Sequence, residues 1–163
     1  MAKGSRKRNI MKTMMEALAL VRRAQIEVRR AKARAKTMSK LLSEAEYREL
    51  ATSLETLDIV LEKIALRLQT MLVAGVINRE LLEAPREILR KAMSISSMIP
   101  PNIGETLAEI SDAIDMLISS APTMPEEAPS LIEMSESSPS DYAESVLREA
   151  REEARRRLEG LSE

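Results

Sequence analysis

Apolar and small residues recur along the first third of the chain with the alternating three- and four-residue spacing of a heptad repeat. Ten successive positions follow it without interruption: Ile10, Met14, Ala17, Val21, Ala24, Val28, Ala31, Ala35, Met38 and Leu42. Eight further positions repeat it: Tyr47, Leu50, Leu54, Leu57, Leu61, Ile64, Leu68 and Met71. Heptad spacing places each set on one stripe of an α-helix. The pattern therefore predicts two long amphipathic helices.

The connection between these helices is short. Ser43 followed by Glu46 has the pattern of a capping box, which predicts that the second helix begins there. Because so short a connection forces neighbouring helices antiparallel, residues 10–74 are expected to form a long hairpin. The second helix carries more apolar residues than one stripe needs, which predicts contact with another helix or subunit. The additional residues are Ile59, Val60, Leu66, Leu72 and Val73.

Shorter helices are predicted after the hairpin. Gly75 interrupts the second helix, and Asn78 can cap a third helix over 79–98, in which Pro85 marks a kink or a restart. A fourth helix is expected over about 102–119, with an apolar face and an acidic face.

The last third of the chain changes in composition. Residues 120–138 are rich in Pro, Ser and Glu, which predicts a flexible linker. A last helix is expected over about 139–159, ending at Gly160 and supported by Arg–Glu pairs one turn apart. The predicted organisation is a helical core over 1–119, the linker, and a C-terminal helix within 139–163 that the tether holds outside the core.

Composition supports an all-α fold and narrows the chemistry. There are two tyrosines, no Phe or Trp and only four glycines, too few aromatic and turn residues for a sheet protein. The absence of Cys and His excludes thiolate nucleophiles, zinc–thiolate sites and a Ser-His-Asp triad. We expect a protein that is not an enzyme and that has neither a metal site nor a cofactor.

Location is also predicted from the sequence. The longest uninterrupted apolar stretch, 71–77, is far too short to span a bilayer. Lys12 and Glu16 interrupt the segment in which a secretory signal would need an apolar core. We expect a soluble cytoplasmic protein.

The charges are distributed very unevenly. Residues 1–41 hold 13 Lys and Arg and two Glu, a charge of +11, whereas residues 42–163 carry −12. Ten acidic residues and no basic one lie between Lys91 and Arg148. This asymmetry predicts a basic surface for a polyanion, either nucleic acid or an anionic membrane, and an acidic segment able to compete for it.

The order of these features resembles the ESCRT-III family, and within it the archaeal cell-division proteins of the CdvB group. Residues 61–70, Leu-Glu-Lys-Ile-Ala-Leu-Arg-Leu-Gln-Thr, are similar to the family's pattern at the end of its second helix. A second match runs from Ala84-Pro85 through Met98-Ile99-Pro100 into the acidic helix. Together these matches cover roughly 45–119.

The resemblance implies a protein that polymerises on anionic membranes, remodels or severs them in archaeal cell division or vesicle budding, and is disassembled by an AAA ATPase of the CdvC type. It implies homo-polymers, paralogous ESCRT-III partners and a peripheral location on the inner face of the cell membrane, at the division site. The winged-helix segment of the longest archaeal members is not expected. The residues assigned to lipid contact are Lys3, Arg6, Lys7, Arg8, Lys12, Arg22, Arg23, Arg29 and Arg30.

The end of the chain resembles the family's MIT-interacting motif, the helix that the ATPase's MIT domain binds. The Arg-Leu-x-x-Leu part is retained, and alanine replaces the first leucine of the motif. The residues assigned to MIT binding are Ala154, Arg157, Leu158 and Leu161.

Two other functions compete with this one. A nucleic-acid-binding helical protein could use the basic first helix, but no aromatic residues lie among its basic residues to stack on bases, which leaves binding to the phosphate backbone. A helical-bundle enzyme using only Arg and Glu is the third candidate, although the predicted core stripes contain no Arg–Glu cluster.

Overall fold

The computed structural model describes residues 2–95, 99–123 and 138–161, with side chains described over 7–95, 99–123 and 138–160. These ranges contain five α-helices and no strand, so the predicted all-α class is confirmed. The helices are α1 (Ala2–Met38), α2 (Glu44–Ala74), α3 (Arg79–Ala92), α4 (Pro101–Ser120) and α5 (Pro139–Leu161). None of the helices in these ranges combines the length and the apolar character needed to cross a membrane.

The first two helices form the predicted antiparallel hairpin. Ser43 Oγ accepts a hydrogen bond from the backbone N–H of Glu46 at 3.1 Å, and the Glu46 carboxylate accepts one from the N–H of Ser43 at 3.4 Å. The capping box is therefore confirmed. Gly75 ends α2 at φ 70°, a left-handed conformation that glycine adopts without the steric cost of a Cβ.

Burial follows the heptad pattern through most of the hairpin. The predicted stripe is buried from Ile10 to Ala35 in α1 and from Leu54 to Met71 in α2. Toward the turn the stripe is no longer buried, and Met38 is 44% exposed. Small residues on α1 face large ones on α2, which allows the two backbones to approach closely.

Two of the additional apolar residues on α2 are buried and two are not. Ile59 and Val60 are covered, Leu72 is half-buried, and Leu66 and Val73 remain 52% and 83% exposed. The prediction that the whole widened stripe would be covered is therefore only partly correct within this chain.

Several helix ends differ from the sequence-based expectation. The first helix begins at Ala2 rather than near residue 10, because heptad counting detects only the packed part of a helix and Ile10 is the first buried position described. The third helix ends at Ala92, short of the expected 98, and residues 96–98 lie outside the described part. It runs through the buried Pro85 without a restart. The last helix continues past Gly160 to Leu161, because glycine inside a helix costs only about 1 kcal/mol.

The three shorter helices pack on the hairpin and on one another. The fourth helix lies against α1 and α3, and the fifth lies against α2 and α3. Thr106 Oγ1 of α4 donates a hydrogen bond to the Glu27 carboxylate of α1, with oxygen distances of 2.9 and 3.1 Å. Much of the predicted linker, residues 124–137, lies outside the described part.

The expectation that a tether holds the last helix outside the core is wrong. Four of its residues are buried as part of the main core: Ala143, Val146, Ala150 and Ala154. Because three of them are alanines, the backbone of α5 can lie close to α2 and α3. The same stripe that suggests a partner-binding helix thus serves as a packing face inside this chain.

Candidate functional site

The outer face of α1, opposite its packing stripe, is basic and lacks acidic residues. At 3.6 residues per turn, ten exposed residues fall within a sector about 120° wide and about 38 Å long. They are Arg8, Lys12, Met15, Ala19, Arg22, Arg23, Ile26, Arg29, Arg30 and Ala33, and we call this set the basic face. No Asp or Glu of the described α1 falls in the sector, because Glu16 and Glu27 lie on its edge toward α4.

Three arginines of the basic face form ion pairs, and the others do not. Arg22 contacts Glu62 of α2 at 3.1 Å, Arg23 contacts Glu27 at 3.1 Å, and Arg29 approaches Asp58 at 4.0 Å. All three arginine side chains remain at least 43% exposed. Exposed pairs of this kind contribute only about 0–1 kcal/mol, so a phosphate group can replace the carboxylate at little cost.

The remaining cations are unpaired within the described ranges. Arg8, Lys12 and Arg30 are exposed and have no carboxylate within ion-pair distance there. Lys7 is exposed beside the basic face. Lys3 and Arg6 belong to the first turns of α1, but their side chains lie outside the described part. The structure thus brings six of the nine residues assigned to lipid contact onto one surface: Arg8, Lys12, Arg22, Arg23, Arg29 and Arg30.

Two large apolar side chains lie in the middle of the basic face. Met15 is 58% exposed and Ile26 is 48% exposed. They are three helical turns apart along α1 and have cations on both sides of them. An exposed apolar stripe between two rows of basic residues is typical of helices that lie in a membrane interface. Neither residue is among the sites predicted from the sequence, although their placement opposite the heptad stripe follows from spacing alone.

The acidic residues of α4 do not neutralise the basic face. Glu105, Glu109 and Asp112 are exposed, and none of them forms an ion pair within the described ranges. The fourth helix, which carries part of the predicted acidic segment, packs on α1. The direct charge contact is instead made by acidic residues of α2.

A cluster of four charged residues joins three helices in the half of the hairpin nearer its turn. Lys32 Nζ of α1 lies 2.8 Å from a Glu55 oxygen and 3.0 Å from an Asp58 oxygen of α2. Arg157 of α5 donates a hydrogen bond to Glu55 at 3.0 Å and another to Glu153 at 2.9 Å. We call Lys32, Glu55, Asp58 and Arg157 the charged cluster.

The partners of Glu55 outweigh its burial. Burial alone would raise the pKa of the Glu55 carboxyl, but the hydrogen bonds from Lys32 and Arg157 hold that pKa below its ordinary value. Burial would likewise lower the pKa of Lys32, and the two carboxylates raise it instead. Both groups therefore remain charged at neutral pH, and Glu55 connects α5 electrostatically to the hairpin.

The charged cluster lies beside the predicted core stripes rather than in them. Glu55 is only 8% exposed and binds two cations, and its partner Arg157 is 49% exposed. The signal available in the sequence was a glutamate between Leu54 and Leu57 of the heptad stripe. Its partner Arg157 is 102 positions away, so spacing could not reveal the contact.

A second polar group lies between the hairpin helices. Gln25 is 2% exposed, and its Nε2 donates a hydrogen bond to Glu62 at 2.6 Å. Arg22 donates to Gln25 Oε1 at 2.9 Å. The hydrogen bond from Gln25, with the charge of Arg22 beside it, lowers the pKa of the Glu62 carboxyl.

The residues assigned to MIT binding are largely engaged in the fold. Ala154 is fully buried, Arg157 is bound to Glu55, and Leu158 is half-buried. The side chain of Leu161 lies outside the described part. In a groove between the helices of a partner, α5 would bind with the same face that packs on α2 and α3. Such binding would therefore require α5 to detach from the hairpin.

Within the described ranges, no group of three or more His, Cys, Asp or Glu residues is placed to hold a metal ion. Comparisons of the chain with protein-family models, with curated proteins and with solved structures find no match.

Proposed function

We propose that this chain is a peripheral membrane-remodelling protein of the ESCRT-III type that assembles on anionic membranes through the outer face of α1. The basic face is the observation that carries the proposal. It combines unpaired cations, weakly paired arginines and exposed apolar residues on one acid-free surface about 38 Å long.

The energetics favour reversible binding. Each basic residue near an anionic surface contributes about 1 kcal/mol. Four unpaired cations, Lys7, Arg8, Lys12 and Arg30, would together contribute about 4 kcal/mol, or about a thousandfold in the binding constant. Met15 and Ile26 add apolar contact with the interface. Neighbouring copies in a filament would multiply the affinity through avidity.

Binding to nucleic acid is the second candidate, since the same cations could contact phosphates. Met15 and Ile26 favour the membrane, because they stand among the cations where a duplex would offer them only its charged backbone. Neither tyrosine lies on the basic face. Tyr142 of α5 has its ring centroid 5.1 Å from the guanidinium carbon of Arg67, and Tyr47 is half-buried near the hairpin turn.

The proposal extends to cell division or vesicle budding in an archaeon, with paralogous subunits as partners and an AAA ATPase as the disassembling enzyme. It rests there on the residue patterns of α2 and of the terminal helix. The docking of α5 supports a form in which the ATPase-binding face is covered until the helix is released.

The decisive experiment is sedimentation with phosphatidylcholine vesicles that contain or lack phosphatidylserine. The triple variant Arg8→Gln, Lys12→Gln, Arg30→Gln should lose most binding to the anionic vesicles, about a hundredfold or more, since three contributions of about 1 kcal/mol disappear. The matched control is Arg151→Gln, Arg155→Gln, Arg156→Gln on the exposed side of α5, which removes equal charge and should bind like the wild type.

A DNA gel shift run in parallel decides between the two candidates. Equal sedimentation of the two triple variants would contradict the proposal. Tight DNA binding that only the α1 triple variant loses, together with no sedimentation of the wild type, would establish the nucleic-acid function instead.

A further inference from the structure

The hairpin projects beyond the other three helices at its turn. The last buried residue of α1 is Ala35 and the first of α2 is Ser53, and none of the residues between them is buried. The fifth helix reaches the hairpin near Glu55, through Arg157. We call residues 36–52 the hairpin tip.

The tip presents an apolar side chain on an ordered turn. Leu41 is 83% exposed and Met38 is 44% exposed. The backbone N–H of Leu41 donates to the carbonyl of Met38 at 2.9 Å, and Ser39 Oγ donates to the carbonyl of Lys36 at 2.9 Å. The capping box of Ser43 fixes the other side of the turn. These local hydrogen bonds order the turn in a conformation that leaves the Leu41 side chain exposed to solvent.

Cations surround this apolar end. Arg34, Lys36 and Lys40 are exposed and have no ion-pair partner in the described ranges. The acidic residues of the tip all lie on α2. Glu44 pairs with Arg48 at 3.4 Å, Glu46 is engaged in the capping box, and Glu49 is exposed. The side of the tip formed by the end of α1 thus combines apolar and unpaired basic groups.

We propose that the hairpin tip is a second membrane contact, in which Leu41 inserts into the interface of an anionic bilayer while Arg34, Lys36 and Lys40 bind lipid phosphates. This inference rests on the proposed function and adds a site that the lipid-binding residues predicted from the sequence do not include. Positive charge next to an exposed apolar side chain matches the two components of an anionic membrane surface.

The shape of the tip favours lipid over a second protein. A stable protein interface buries about 800 Å² on each partner, and two aliphatic side chains at the end of a hairpin fall well short of that area. Lys36 lies in the last turn of α1, the helix that carries the basic face. A membrane that binds the basic face along α1 therefore meets the tip at the end of the same helix.

The chain contains no tryptophan, so a single one can report on its surroundings. Leu41→Trp is the test variant and Met116→Trp, on the acidic side of α4 where Met116 is 59% exposed, is the matched control. Each is mixed with phosphatidylserine-containing vesicles with and without brominated acyl chains. At position 41 we expect a blue shift of the emission and quenching by bromine, and at position 116 neither.

A binding measurement accompanies the fluorescence. Leu41→Ser should weaken sedimentation with anionic vesicles about tenfold, because burial of a leucine side chain contributes at least 1.5 kcal/mol. Met116→Ser should leave it unchanged. Unchanged helical content by circular dichroism checks that the fold is retained, as expected for an exposed position.

The outcomes separate the inference from the proposed function. If the wild type sediments with vesicles but the probe at position 41 stays in water, the tip contact is wrong and the proposed function stands. If the wild type does not sediment at all, both fail. A blue shift that grows with protein concentration in the absence of vesicles would assign the tip to a contact between copies of the chain and overturn the inference.

Discussion

Glu55 is the residue at which three helices of this protein meet. Its carboxylate accepts hydrogen bonds from Lys32 of α1 and Arg157 of α5, and it is itself part of α2. A buried carboxylate is destabilising unless its charge is matched, and here two cations match it. Because Arg157 is 49% exposed and Lys32 is 30% exposed, the pairs are partly screened by water, and their contribution is smaller than that of a fully buried bridge.

Glu55→Gln should therefore lower the free energy of unfolding by about 1 kcal/mol at neutral pH, which is roughly 2–4 °C in melting temperature for a chain of this size. Folding lowers the pKa of Glu55 below its ordinary value of 4.5. The stabilisation by the Glu55 carboxylate is therefore present above pH 4.5 and is lost as the pH falls through the lower pKa of the folded state. The pKa of Lys32 is raised above its ordinary value of 10.5, so the stabilisation by its ammonium group is lost only as the pH rises above 10.5.

Thermal melts of the wild type and of Glu55→Gln at several pH values check this. The difference in melting temperature should be greatest near neutral pH and should shrink as the pH falls below 4.5 and through the lowered pKa of the folded-state Glu55 carboxyl. Glu49→Gln, at an exposed position of the same helix, is the control. A difference that persists undiminished in acid would show that Glu55 acts through packing rather than charge.

Among the helices, α5 packs on the hairpin with the same face that the proposed MIT contact would need. Ala150 and Ala154 pack in the core, and Leu158 continues the same stripe at the edge of the packed region. A groove in a partner's MIT domain would need the same stripe. If α5 binds an MIT domain as proposed, binding to the intact chain would include the free energy of detaching α5, whereas a free peptide would not have that cost.

We accordingly predict that a peptide of residues 138–163 binds the cognate MIT domain more tightly than the intact chain does. Leu158→Ala should weaken binding by the peptide at least about tenfold, since truncating a central apolar anchor costs about 2 kcal/mol. Glu55→Gln, which weakens α5 docking without changing α5 itself, should bring the intact chain closer to the peptide. Isothermal titration calorimetry measures all three affinities.

Two results would contradict this assignment. No binding by the wild-type peptide would leave α5 as a packing element only. Equal affinity of the peptide and the intact chain would mean that α5 detaches freely, contrary to the burial of its alanine stripe.

At the scale of the whole molecule, the hairpin has one open side and one covered side. The fourth and fifth helices cover parts of α1 and α2, and the basic face and the tip stay exposed. Lipid contact therefore does not require the helices to rearrange. Lateral association of hairpins would require it, because the apolar surfaces under α4 and α5 are occupied within the chain.

Truncation tests this distinction. A chain ending at residue 119 lacks α5 and exposes the surfaces of α2 and α3 beneath it. A chain ending at residue 101 also lacks α4, whose Ile103, Leu107 and Ile110 are buried. We expect both to assemble more than the intact chain, and the shorter one more strongly, as measured by light scattering.

Electron microscopy and the salt dependence of scattering separate ordered assembly from simple aggregation. Filaments that dissolve at high salt would support ordered assembly of the chain. Amorphous particles at every salt concentration would indicate non-specific aggregation through exposed core residues. If both truncated chains remain monomeric, the covered surfaces do not limit association.

Local sequence patterns were enough to predict the five helices, the hairpin and its capping residues, although several helix ends differ. Heptad spacing, the Ser43–Glu46 pair and Gly75 are patterns of neighbouring residues, so they can be recognised without knowing where the rest of the chain lies. Charge counting also indicated that α1 is the basic element. Its free face follows from the same periodicity, since the side opposite a buried stripe of a surface helix is open.

What each apolar face covers became known only from the packing of the helices. Helical periodicity identifies a stripe such as Ala143, Ala150 and Ala154, but a small-residue stripe fits its own core and a partner's groove equally well. The contact between Glu55 and Arg157 likewise depends on where α5 comes to lie. Packing selects among these possibilities through contacts between residues distant in the chain, and their partners are not encoded in local spacing.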